Sequence, residues 1–220
     1  MSNIYFPSYK RYEKVLGYEY LGEGNIIVPK SQEIQYKKRY GNAVLDMIQE
    51  REEDAYGWII DDDFKLLKRK KENKKLSGDE AIENLERIYL MAKDMGATYG
   101  GFDYSQDCLK LKDQSPFSFT KPIFGMILAK ADDGIRYDTR LRINEDVDFW
   151  IQKMNQNRRM LRDNQYVNIF HGDDGGSDSV IGYDRKEQRF YARQINKKWG
   201  GQFMNWKKTS FQFKIPIKGI

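Results

Sequence analysis

Trp58-Ile59-Ile60-Asp61-Asp62-Asp63-Phe64 joins a short apolar run to three consecutive carboxylates. A run of that length between polar neighbours reads as a buried strand, so the acids fall at its carboxyl end. Open α/β sheets keep their ligand crevice there. Carboxylates this close repel one another unless something neutralises them, and a hard divalent cation with oxygen ligands does so. Three aspartates alone are as well read as a solvated turn. A second cluster, Asn144-Glu145-Asp146-Val147-Asp148-Phe149, weighs against that plainer account. Taken as one site, an ion at Asp61, Asp62 and Asp63 would neutralise a diphosphate as a leaving group. Asp146 or Glu145 would then take a proton from an incoming hydroxyl as general base. His171, the only histidine, closes the apolar run Val167-Asn168-Ile169-Phe170. It reads either as a further metal ligand or as a hydrogen-bonded structural residue. Lys38, Arg39, Lys197 and Lys198 are candidate phosphate holders.

The elements that must position these groups alternate in type. Ile4 to Phe6 is a first strand, broken at Pro7, and Asn25 to Val28 a second, stopped by Pro29. Val44, Leu45 and Ile48 give a helix its apolar face before the Asp61 strand. Ser77-Gly78-Asp79-Glu80 is a capping box opening a helix that keeps apolar spacing to Met95, with Gly96 behind it. Gly100 to Tyr104 opens an irregular section through Ser118. Ile123 to Ala129 is a strand, and Asp132-Asp133-Gly134 the turn of a hairpin whose return leg is Tyr137 to Ile143. Phe149 to Leu161 has helical spacing, Val167 to His171 is a last strand, and another helix follows Asp184. Alternating elements of this kind make an α/β fold with a central, mostly parallel sheet flanked by helices.

A chain of 220 residues with 40% apolar content can bury one α/β core and is short for two. The division expected is a nucleotide-binding half at 1–64, an acceptor half at 97–176 and a basic aromatic segment at 177–220. No apolar run spans a bilayer and no signal-type stretch opens the chain, so a cytoplasmic protein without a membrane partner is expected. The single cysteine, Cys108, excludes an internal disulfide and a cysteine-built zinc site. Seven basic residues lie between Lys65 and Lys75, and aromatics interleave with lysines after Lys197. Such patches suit a polyanion such as nucleic acid, or are simply a solvated loop and a basic edge.

In this order the motifs resemble the GT-A fold glycosyltransferases, a Rossmann-like class that moves a sugar from a nucleoside diphosphate using Mn²⁺ or Mg²⁺ on a DxD motif. Ile4-Tyr5-Phe6-Pro7-Ser8-Tyr9-Lys10-Arg11 is similar to that class's first strand and its Pro-Ser/Thr-Tyr-x-Arg loop. Arg39 and Asn42 resemble its Arg-Asn pair, here split by Tyr40 and Gly41. Glu145-Asp146 resembles the base motif of inverting members. Ile27-Val28-Pro29 with Glu33 and Tyr36 brings the chain nearest to the TET/JBP-associated glycosyltransferases, phage and eukaryotic proteins linked to modified DNA bases. The resemblance implies that Pro7, Ser8, Tyr9, Arg11, Glu33, Tyr36, Arg39 and Asp61 line a UDP-sugar. It implies Asp61, Asp62, Asp63 and His171 as metal ligands, Asp146 as the base and Glu145 as its orienting partner. The implied acceptor is a 5-hydroxymethylpyrimidine, 5-hydroxymethylcytosine first, in double-stranded DNA. The host cytoplasm is the implied location if a phage encodes the chain.

Three other readings compete. A transferase with a polysaccharide or protein acceptor would share the donor site and ignore salt. An inactive transferase fold that binds DNA would not need Asp61, Asp62, Asp63 and Asp146 intact. A metal-dependent nuclease would cluster acids too, but has no use for the Pro7-Ser8-Tyr9-Lys10-Arg11 loop.

Overall fold

Tyr56-Gly57-Trp58-Ile59-Ile60 is buried at every position, which only a central strand covered on both faces allows. It is β4 of a computed structural model that describes residues 4–5, 7–8, 26–27, 41–42, 44–50, 52–61, 64–104, 115–141, 143–170, 185–201, 204–206 and 211–213. The other strands of its sheet are β1 (Ile4–Tyr5), β5 (Phe64–Arg69), β6 (Lys74–Lys75), β7 (Tyr99–Asp103), β8 (Phe117–Ser118), β9 (Met126–Lys130) and β10 (Leu161–Phe170). Their order is β1-β4-β9-β7-β10-β5-β6, with β8 paired to β10. Two strand pairs stand apart from it: β2 (Pro7–Ser8) with β3 (Ile26–Ile27), and β11 (Met204–Trp206) with β12 (Phe211–Phe213).

Side-chain alternation sorts the core into two layers. Trp58, Ile60, Phe102, Met126 and Leu128 face one way and pack on Leu85, Ile88 and Ala92 of helix α2 (Gly78–Met95). Ile59, Tyr99, Ile127 and Ala129 face the other way. They meet Val44, Leu45 and Ile48 of α1 (residues 44–50), Phe149, Trp150 and Met154 of α3 (Glu145–Asn157), and Ile195 of α4 (Arg185–Lys198). The α/β class therefore holds, with helices on both faces.

The mostly parallel sheet does not hold. Only β1 with β4 and β7 with β10 pair in parallel; the other five pairings of this sheet are antiparallel. A parallel neighbour needs a crossover long enough to carry the chain back across the sheet. Among the described residues no helix lies between β7 and β9, so β9 starts at the edge where β7 ends and runs back. Likewise β5 and β6 are joined by the tight turn at residues 70–73.

Four local readings also change. Gly100 to Tyr104 is not irregular; most of it is the buried strand β7. Glycine is required because a Cβ at Gly101, where φ is +153°, would lie 2.6 Å from Ile123 and 2.7 Å from the Met126 carbonyl. The turn at Asp132 and Asp133 forms, but among the described residues no strand returns from it. Side chains pin that leg instead of a ladder: Arg136 donates to the Ala131 carbonyl at 3.0 Å and Gln152 to the Arg136 carbonyl at 2.9 Å. Helix α3 starts at Glu145 and ends at Asn157, so Leu161 belongs to β10. Its acidic first turn suits a helix N-terminus, a start that apolar spacing cannot reveal. The basic run after Lys65 is largely β5 and β6 rather than a loop. Ser77 caps α2 as expected, with its side chain accepting from the Glu80 amide and Glu80 accepting from the Ser77 amide.

Candidate active site

Strands β1, β4, β7 and β10 run in one direction and so end at one edge of the sheet. Asp61 follows β4 there, Tyr104 follows β7, and β10 stops at Phe170, the residue before His171. The Asp61 amide donates to the Gly125 carbonyl at 2.7 Å, and the Phe64 amide donates to the Asp61 carbonyl at 3.1 Å. Asp61 is exposed. Phe64 packs edge-on to Phe170 behind it, ring centres 6.2 Å apart.

The second acidic cluster is the first turn of α3. Asp146 is exposed, and its Oδ1 accepts the Val147 amide at 2.7 Å; Glu145 is half-buried. Asn144, the N-cap, takes the left-handed conformation at φ 61° and makes no side-chain cap bond.

Two tyrosines connect the clusters. Burial pushes the Tyr137 hydroxyl well above its ordinary pKa, and Asp61, Asp146 and Glu145 add to the rise. The Tyr99 hydroxyl rises well above its own through burial, then Tyr137, Asp146 and Asp61. Asp61 and Asp146, on separate elements, thus both act electrostatically on the same two hydroxyls. Both phenols stay protonated, as hydrogen-bond donors among carboxylates; Tyr99 donates to the Ile123 carbonyl at 2.9 Å.

Tyr137 is held on three sides. Its ring stacks on Phe149, centres 4.2 Å apart. Its amide donates to Asn42 Oδ1 at 2.7 Å, and its carbonyl accepts Asn42 Nδ2 at 3.0 Å. A Cβ at Gly41 would fall 2.4 Å from the Tyr137 ring, so the glycine splitting the Arg-Asn pair makes room for that ring. Asn42 was legible as half of a motif. Tyr137 as the bridge between the acids was not, because nothing in its neighbours signals a contact ninety-five residues away.

Asp148, although within the acidic run, serves another purpose. It is wholly buried and accepts from Lys198 Nζ, Trp199 Nε1 and Gln152 Nε2, each at 2.8 Å. Lys198 also reaches Asp138 at 2.9 Å, so it ties α4 both to α3, through Asp148, and to the segment before it. Those two ion pairs engage the ammonium that the sequence offers as a phosphate holder. Lys197 is exposed near the end of α4. Lys70 is buried against Asp103 at 2.5 Å. Pro7 and Ser8 form β2, and the placement of their side chains lies outside the described residues. Tyr9, Arg11, Glu33, Tyr36, Lys38, Arg39, Asp62, Asp63, Cys108 and His171 also lie outside them.

The acids that converge here offer hard oxygen donors, the kind that suits Mg²⁺ or Mn²⁺. Among the described residues no three histidine, cysteine or acidic side chains converge as a metal site, so Asp61 is the one described member of the expected ligand set.

A sheet with helices on both faces and acids gathered at its carboxyl edge defines an α/β protein with a candidate site of the ligand-crevice type. Residues 46–170, more than half of the chain, match the TET-Associated Glycosyltransferase family, and the chain belongs to that family. A comparison with curated proteins gives no match. No helix among the described residues is long and apolar enough to cross a membrane.

Proposed function

We propose that the chain transfers a sugar from UDP to the hydroxyl of a 5-hydroxymethylpyrimidine in DNA, 5-hydroxymethylcytosine first, with inversion at the anomeric carbon. The observation that carries the reading is the shared action of Asp61 and Asp146 on Tyr99 and Tyr137. In this reading Asp61 serves the leaving-group end and Asp146 the base end of one site. Pro7, Ser8, Tyr9, Arg11, Glu33, Tyr36 and Arg39 line the nucleotide in this reading. Asp61, Asp62, Asp63 and His171 hold Mn²⁺ or Mg²⁺, which when bound neutralises charge on the departing diphosphate. Asp146 takes the acceptor hydroxyl proton as that oxygen bonds to the anomeric carbon. The bond from that carbon to the diphosphate breaks, and its electron pair leaves with UDP. Glu145, one residue away, orients the base or the acceptor.

The test is incubation with Mn²⁺, a panel of UDP-sugars and hydroxymethylcytosine DNA, followed by mass analysis of the digested nucleosides. A hexose or pentose added to the base supports the reading. UDP release without addition to DNA moves the acceptor elsewhere. Asp61→Ala should abolish Mn²⁺-dependent binding of UDP in calorimetry; unchanged binding removes Asp61 from the donor site.

A further inference from the structure

Tyr104 follows β7 directly, at the same sheet edge as Asp61. It is 39% exposed, and its amide is fixed by donation to Asp103 Oδ1 at 2.8 Å. Its ring meets Phe124 edge-on at 5.0 Å, and Phe124 in turn meets Trp150 edge-on at 6.4 Å. Trp150 stands four residues after Asp146 on α3, on the same side of that helix. Aromatic contacts therefore run from Trp150 of α3 through Phe124 to Tyr104. Burial raises the pKa of the Tyr104 hydroxyl, Arg162 lowers it, and Asp103 and Asp146 raise it. Lys121 completes the group. Its side chain is near Arg162 and Asp103, and the residue is exposed. Arg162 is buried, with Nη1 3.2 Å from Asp103 and 3.1 Å from the Pro122 carbonyl.

A part-exposed aromatic ring packed edge-on against Phe124, with an exposed lysine near the same Arg162–Asp103 pair, has the features of a stacking platform for a base with a backbone phosphate beside it. We infer that Tyr104 stacks on the acceptor pyrimidine, turned out of the duplex, and that Lys121 holds a neighbouring phosphate. The inference rests on the DNA-acceptor reading above. A pyrimidine inside the duplex keeps both faces stacked, so a platform here requires extrusion. Tyr104 acts on acceptor choice, whereas Asp146 acts on the proton.

Steady-state transfer to hydroxymethylcytosine DNA, with Tyr104→Ala, Tyr104→Phe and Lys121→Ala beside the unaltered chain, tests this. Tyr104→Ala should raise the acceptor KM by about 5- to 150-fold, the range that base–aromatic stacking is worth. Tyr104→Phe should keep it near normal, because stacking needs the ring and not the hydroxyl. Lys121→Ala should reduce the slope of acceptor binding against log salt by about 1. Affinity for UDP, measured by calorimetry, reports folding and should stay constant in all three. An acceptor KM unchanged in Tyr104→Ala overturns the inference. A KM that rises equally in Tyr104→Ala and Tyr104→Phe, or with loss of UDP affinity, makes the residue structural and overturns it too. If the unaltered chain glycosylates a saccharide and no DNA, the functional reading itself has failed, and that arm alone reveals it.

Discussion

Helices α2 and α3 cover opposite faces of one sheet and handle their polar groups in opposite ways. Helix α2 opens with a complete capping box and closes on Gly96 in the left-handed conformation, and its buried side is Asn84, Leu85, Ile88 and Ala92. Helix α3 opens on a left-handed Asn144 with no side-chain cap bond, whose buried Nδ2 finds no partner. It then buries Asp148 and Lys153 among its apolar residues. Each local choice in α2 favours the helix. The uncapped, left-handed Asn144 sits beside Glu145 and Asp146, where a fixed position matters more than an easy start. Backbone in sparsely used conformations persists where the surroundings over-determine it, and such places often serve function.

The widest separation should come within α3 itself. Asp146→Asn should lower transfer by about 10²–10⁴-fold, the usual worth of a general base. UDP affinity and thermal midpoint should stay constant, because the side chain is exposed. Turnover near normal would place the base elsewhere. Asp148→Ala, two residues on, should instead cost about 3 kcal/mol, the low end for breaking a buried pair, since Lys198 keeps Asp138. At about 2–4 °C per kcal/mol for a chain of this size, that lowers the midpoint by about 6–12 °C. A midpoint that does not move would mean that Asp148 does not anchor α4.

This contrast also marks what could be read without coordinates. The apolar run before Asp61, the α1 face and the Ser77 box are local patterns, and each produced the expected element. Separating Asp146 from Asp148 needs the phase of a helix, in which residues two apart point to nearly opposite sides. Apolar spacing starts that helix at Phe149, so both acids fell before it and looked equivalent. Lys70 was indistinguishable from its neighbours in the basic run because its partner, Asp103, lies on a strand thirty-three residues on. The strand itself, with two adjacent glycines, read as the opening of an irregular section. Asp61 and Asp146 were found as acids, but their common ground at Tyr137 depends on Asn42, and that contact is long-range.

Lys153 offers a test of the α3 layer by pH. Its ammonium is buried, donating to the Lys130 carbonyl and to Asp133 Oδ2, each at 2.6 Å. Burial lowers its pKa to about 8, with Asp133 opposing the fall. Between about 8 and the ordinary lysine value of 10.5, the unfolded chain therefore binds more protons at this position than the folded one. Stability from this group rises with pH across that window. Buried Tyr99 and Tyr137 act in the other direction once unfolded tyrosines ionise near 10. Denaturant midpoints of the unaltered chain and Lys153→Met should thus converge or cross between pH 8 and 9.5, the unaltered chain gaining relative to the variant. Parallel curves would mean that Lys153 titrates alike in both states.

The smallest effect belongs to the α2 layer. Ser77→Ala removes the acceptor for the Glu80 amide, now 3.2 Å away, and frees one half of the capping box. The loss should be about 1 kcal/mol, or about 2–4 °C in midpoint, without change in UDP affinity or transfer. The Glu80 carboxyl, held down to about 2 by Lys74 and the Ser77 amide, adds an acid-side signature. Its contribution is complete above its ordinary value of 4.5 and fades as pH falls toward 2. Because Ser77 caps the helix on the face away from Tyr137, a drop in transfer beyond the fraction unfolded would show that the two layers are coupled. Equal transfer at unequal stability would show that the α3 layer keeps its geometry without help from the α2 cap.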